Sequence, residues 1–301
     1  MNTNKLDRLL ASLLLAGAMI LSAATAHATT AFKTPEAAME AFGAAMNTDD
    51  EAAKEAILGK SFRAVIPPIG AETRYKFLES WARLHKIEMD GDSTARIAVG
   101  DSGWTLPIPL VKTKAGWVFD MKAGKDEIIV RQIGRNELAV IKVAGAFVDA
   151  QREYQEMDRN GDGVREYARK IVSSPGKKDG LYWPDVAGQA QSPLGPLVAS
   201  ATTEQGSRPT GSYHGYRYRI LSSQGAQAAG GARDYVVDGR MTGGFGLIMW
   251  PAKFGETGVM TFLVNHEGQI FEKNLGPDTA KKVERLRSFN PDASWRKVDN
   301  Q

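Results

Sequence analysis

The chain contains no cysteine. That absence removes disulfides, thiolate nucleophiles, Cys-ligated zinc and iron–sulfur clusters from the functions open to it. Histidine is nearly as scarce: there are four in 301 residues, with no H-E-x-x-H or H-x-H spacing, so a histidine-built zinc site would need partners from distant parts of the chain. A charge excess of one sign is also missing. The 38 Lys+Arg against 35 Asp+Glu leave a formal +3, too weak and too evenly mixed to demand nucleic acid or an anionic membrane as partner. Beyond Ala28 no segment is apolar enough to span a bilayer.

What is present begins with Lys5 and Arg8 ahead of an apolar stretch, Leu9 to Ala24, closed by Ala26-His27-Ala28, an A-x-A site. This order reads as a cleaved secretory signal over residues 1–28. Ser12, Gly17, Ser22 and Thr25 interrupt the stretch, leaving it short of the roughly 20 apolar residues that a span prefers. With no cysteine behind it, a lipoprotein anchor is chemically excluded. The expected product is a soluble periplasmic protein with no membrane span.

The remaining chain reads as α+β in two parts, residues 29–123 and 124–301. Thr34-Pro35-Glu36 supplies an N-cap and an N1 proline for a first helix to about Met46. Asp49-Asp50-Glu51 opens a second through Leu58, and a third is expected from Glu72 to His85. Strand-like runs follow at Ala95–Val99, Trp104–Val111 and Gly116–Asp120. The second part starts with a helical segment from about Asp126 to Met157, with an expected break at Gly134-Arg135-Asn136 and an apolar arc carrying Leu138, Ile141, Val143, Phe147 and Val148. Gly145 within it is open to two readings, a close approach of another element or a plain weakening of the helix. From Gly176 to Gly276 the chain holds 18 of its 31 Gly among strand-like runs at Tyr213–Leu221, Tyr235–Asp238, Phe245–Trp250, Val259–Asn265 and Gln269–Lys273.

The phrase Pro35-Glu-Ala-Ala-Met-Glu-Ala-Phe with Asp49-Asp50 after it resembles the opening of cystatin-like, NTF2-like domains, which implies helices against a curved antiparallel sheet. The long helix followed by strands is similar in pattern to the globular part of pilins, a spine helix packed on a second antiparallel sheet; the polar residues before Asp126 argue against assembly into a pilus. A wider set of phrases resembles the bacterial exported family catalogued as domain of unknown function 2950 (DUF2950). Among them are Ile133-Gly-Arg-Asn-Glu-Leu138, Asp149-Ala-Gln-Arg-Glu-Tyr154, Asp179-Gly-Leu-Tyr-Trp-Pro184, Gly230-Gly-Ala-Arg-Asp-Tyr235 and Gly258-Val-Met-Thr-Phe262. That resemblance implies export and a two-part architecture, and it carries no catalytic residues.

The strongest local motif is Asp158-Arg-Asn160-Gly-Asp162-Gly163-Val164-Arg-Glu166. Side-chain oxygens at positions 1, 3, 5 and 9, glycine at 6 and a backbone carbonyl at 7 match the first part of an EF-hand loop, which points to structural Ca²⁺. Arg169 stands at position 12 in place of the bidentate Glu, so Glu166 must close the site if it is one. The alternative is a solvated turn ending the long helix. Tyr182, Trp183, His214 and Tyr216 are candidates for a ligand groove. Gly100-Asp-Ser102-Gly103 and Ser174-Pro-Gly-Lys177 match protease and penicillin-binding strings, yet both read better as turns. The expected function is therefore a non-catalytic periplasmic protein that binds a ligand or an envelope component, with an envelope hydrolase acting between the two domains as the alternative.

Overall fold

The computed structural model describes residues 29–188, 190–195 and 212–299; the expected signal segment lies outside the described residues. Helices and antiparallel sheets are both present, and the chain divides between Met121 and Lys122 into two compact units.

In the first unit, α1 (Pro35–Thr48) starts where expected because the Thr34 hydroxyl accepts the Ala37 N–H and proline pre-sets the first turn. Asp49 ends it at φ 56°, and the Asp50 carboxylate accepts the Ala53 N–H to begin α2 (Glu51–Leu58). After a 3-10 turn (Phe62–Ala64) comes α3 (Ala71–Arg83). The sheet is an antiparallel meander, β1 (His85–Asp90), β2 (Thr94–Val99), β3 (Leu110–Thr113) and β4 (Gly116–Phe119). Strand β1 corrects the expectation of a helix running to His85. Its alternation is weak, Met89 being 52% exposed, and it is made a strand by pairing along β2, with Ile87 opposite Ile97. The run from Trp104 shortens to Leu110 because Pro107 and Pro109 cannot donate to a ladder.

Ala38, Met39, Phe42 and Ala45 on one face of α1 meet Ile97, Ile108, Leu110, Trp117 and Phe119 in the first core. Gly43 is needed for this arrangement: a Cβ there would fall 2.5 Å from the Trp81 ring of α3.

The second unit is organised by α4 (Met121–Gln155), one unbroken helix of 35 residues. The expected break at Gly134 is absent, and Asn136 caps nothing; its amide donates to the Thr257 carbonyl at 2.8 Å. Val140, Val143, Ala144, Phe147, Val148 and Tyr154 are buried, whereas Leu138 is 65% exposed, so the apolar arc is narrower than the sequence implied. Nothing lies within 4 Å of a Cβ built on Gly145, which rules out close approach as its reason.

Five antiparallel strands form the second sheet in the order β13-β12-β11-β10-β5: β5 (Tyr216–Leu221), β10 (Gly246–Pro251), β11 (Met260–Asn265), β12 (Ile270–Asn274) and β13 (Arg296–Lys297). Two short ribbons sit between β5 and β10 in sequence: β6 (Ser223–Gln224) with β7 (Arg233–Asp234), and β8 (Val236–Val237) with β9 (Arg240–Met241). A helix the sequence reading did not assign, α5 (Thr279–Arg285), lies between β12 and β13. Phe147, Phe245, Phe262, Phe289 and Tyr235 fill the core of this unit. Each such side chain, fully buried, contributes about 1.5–3 kcal/mol.

Candidate functional site

The 158–166 loop leaves the end of α4 and is closed by its own first carboxylate. Asp158 Oδ1 accepts the N–H of Asn160 (3.2 Å) and of Gly161 (2.8 Å), and Oδ2 accepts that of Gly163 (2.7 Å). Gly161 and Gly163 have φ of 74° and 85°, a region in which a side chain is strained. The Gly163 N–H, ahead of the other backbone donors, holds the Asp158 carboxyl below the usual carboxylate range.

Asn160 joins the remaining oxygens. Its Nδ2 donates to Asp162 Oδ2 (3.1 Å) and to Glu166 Oε1 (3.2 Å), while its Oδ1 accepts the Asp162 N–H (3.2 Å). Asp162 Oδ1 accepts the Val164 N–H, and Oδ2 takes the Arg240 guanidinium at 3.0 Å. Glu166 Oε2 accepts the Met241 N–H. Two carboxylates thus face a partial positive charge at the centre of the loop, the amide hydrogens of Asn160. Asp158 turns to its own backbone, and among the described residues no three His, Asp or Glu side chains are grouped as a metal cluster.

The segment behind the loop is fastened to α4. Gln151, fully buried, donates to the Ala168 carbonyl and accepts the Ala168 N–H, both at 2.8 Å. Tyr154 donates to the Lys178 carbonyl at 2.9 Å. Tyr167 N–H reaches the Met241 carbonyl, and Arg169 the Gly239 carbonyl. Gln151 was missed in the sequence; the available signal was a polar residue falling on the apolar face of a long helix.

Beside the loop lies a groove of about 850 Å³ whose wall includes Arg159, Asn160, Glu166, Lys177, Lys178 and Asp179. The aromatic candidates do not form it. Tyr216 is 0% exposed, its hydroxyl donating to the Met260 carbonyl at 2.9 Å, and burial, then the nearby Glu137 carboxylate, push it well above the usual phenol range. Trp183 is buried and donates from Nε1 to the Ala190 carbonyl; only its ring face meets the groove's cations, Arg159 and Lys178. Tyr182 is half-buried and its backbone pairs with Ile171 and Ser173. His214, at φ 47°, is a turn residue between Tyr213 and Tyr216, its ring tilted at 44° against that of Tyr213. These four are not brought together as a site.

The family model described as protein of unknown function (DUF2950) matches residues 29–298. The chain belongs to that family. No curated protein and no solved structure matches it. In this DUF2950 chain the phrase Ile133–Leu138 is a structural tie. Glu137 Oε1 accepts the N–H groups of Val259 (2.8 Å) and Met260 (2.9 Å), fixing the start of β11 to α4. Gly258 leaves room for this, since a Cβ there would lie 2.2 Å from the Tyr216 hydroxyl.

Neither serine string of the DUF2950 chain is arranged for nucleophilic attack. Ser102 sits in a turn, and His85, the nearest histidine in sequence, donates from Nδ1 to the Trp81 carbonyl and faces Glu40 from Nε2. The Ser174 hydroxyl is reached by Lys170 Nζ at 2.7 Å and donates to Asp179 at 2.9 Å, whereas the Lys177 of the string meets Ser174 through its backbone N–H, which donates to the Ser174 carbonyl at 2.9 Å. Lys170, ahead of the Ser174 N–H, holds the Asp179 carboxyl far below the usual range. Asp179 closes the turn by accepting the Ser174 N–H as well.

Proposed function

We propose that this DUF2950 protein is an exported, non-catalytic binding protein of the cell envelope, with one structural calcium ion in the 158–166 loop. The observation that carries this reading is the convergence of Asn160, Asp162 and Glu166 on one point inside a loop already closed around Asp158, at the rim of a groove. Calcium would take the place of the Asn160 amide hydrogens. Asn160 would turn its Oδ1 inward, and Arg240 would yield Asp162 Oδ2, leaving the Val164 carbonyl and Glu166 to complete an oxygen shell.

Export is supported by the charged start, apolar middle and A-x-A end of residues 1–28, and among the described residues no helix is long and apolar enough to cross a membrane. N-terminal sequencing of a periplasmic extract should begin at Thr29; intact Met1 in the membrane fraction would overturn that part. For calcium, a dissociation constant on the order of 10⁻⁴ M and about 1 mM free ion give roughly 1.4 kcal/mol of stabilisation. A melting rise of about three to six degrees follows, abolished by EDTA and by Asp162→Ala. Calorimetry without heat beyond dilution at millimolar calcium would reduce the loop to a turn.

A further inference from the structure

The groove beside the loop concentrates cations that, among the described residues, have no carboxylate of their own. Arg159 and Lys178 both stand over the Trp183 ring, 5.5 and 5.4 Å from its centroid, and Lys177 is exposed on the adjoining turn. Among the described residues none of the three forms an ion pair, whereas Lys170 in the same wall is paired with Asp179 at 2.7 Å. The two carboxylates of the wall are already engaged. Asp179 is taken by Lys170 and Ser174, and Glu166 by the Met241 N–H and the Asn160 amide.

The scaffold beneath Arg159 and Lys178 is tied down. Trp183 is anchored through Nε1 to Ala190, Arg159 Nε donates to the Tyr154 carbonyl at 3.4 Å, and the Lys178 backbone accepts the Tyr154 hydroxyl. Arg159 and Lys178 thus lie no more than about 11 Å apart beside one indole, each within cation–π distance of it. With Lys177 they give the groove positive charge that its engaged carboxylates do not pair.

We infer that this groove binds multiply charged oligoanions, bearing phosphate or carboxylate groups, through Arg159, Lys177 and Lys178. The inference deepens the binding reading above by naming a ligand class, and it rests on that reading but not on calcium. Guanidinium and ammonium donors set along a groove suit a chain of spaced anionic groups better than a single ion.

The test is calorimetry on the purified protein, stripped of divalent cations by a chelating resin and kept in chelator-free, calcium-free buffer, so that the fate of the calcium loop has no bearing on it. Three probes are titrated: inorganic tripolyphosphate, an oligogalacturonate and uncharged maltohexaose. At least one anion should bind, with affinity falling steeply as salt rises, and comparison of the two separates phosphate from carboxylate recognition. Arg159→Gln with Lys178→Gln should weaken binding by at least about tenfold. Lys177→Gln, at an exposed position, should weaken it several-fold with the melting temperature unchanged. Lys281→Gln, an exposed lysine on α5, should change nothing. Absence of heat with both anions, or losses as large in Lys281→Gln as in the groove variants, overturns the inference. Binding of maltohexaose alone removes the anionic class while leaving a binding protein.

Discussion

The amide of Gln151 offers the sharpest test of how the loop is held. Both Gln151 and Ala168 are essentially without solvent contact, at 0% and 1% exposure, and the side chain satisfies the N–H and the C=O of the same backbone residue. Gln151→Leu keeps the approximate volume and leaves two buried backbone groups without partners. Each orphan costs about 1–3 kcal/mol, and the added apolar burial of leucine returns part of it, so a net loss of about 3 kcal/mol is expected. For a unit of this size that lowers the melting temperature by about 6–12 degrees. Scanning calorimetry reads it directly, and a midpoint within about two degrees of the parent would refute the clamp. Gln151→Glu refines the test. A carboxylate still accepts the Ala168 N–H but sets charge against the Ala168 carbonyl, so at pH 7 this variant should be at least as unstable as Gln151→Leu. Its carboxyl must be protonated to donate, which raises its folded pKa, so relative to the parent it should regain stability as pH falls.

Other expectations follow from single contacts. Arg240→Gln frees Asp162 Oδ2 and should tighten calcium binding by about two- to fivefold, a small factor because the ion pair is solvent-screened. Gly43→Ala forces the Trp81 ring off α1 and should cost about 1–3 kcal/mol by denaturant titration. His266 is held below the ordinary histidine range by burial first and then by Arg233, whose guanidinium meets its Nε2 at 2.8 Å. The unfolded chain therefore binds the proton first, so this contribution is intact above about pH 6.5 and is lost as pH falls below it. His266→Gln should flatten the melting temperature between pH 7 and pH 5; an unchanged slope would remove His266 as its cause.

Local chemistry was legible in the sequence wherever one residue decides its own neighbourhood. Thr34, Pro35 and Asp50 set helix starts through contacts within three residues, and Asp158-x-Asn160-x-Asp162-Gly163 closed a loop because each carbonyl or carboxylate finds a backbone N–H two to five positions away. Strand β1 and helix α5 escaped because their own patterns are weak; β1 exists through its pairing with β2. The aromatic candidates could line a groove, though aromatics in strands more often fill a core, and only the folded sheet decided that Tyr216 faces inward. The same holds for the tie from Glu137 to β11, across more than 120 residues, and for the clamp of Gln151 on Ala168. Meeting partners so distant in the chain is a property of the packed core, because the backbone alone does not determine which buried polar groups come face to face. Arg159 and Lys178 converge on one ring for the same reason: sequence supplied the charges, and the anchoring of Trp183 against Ala190 put them in one groove.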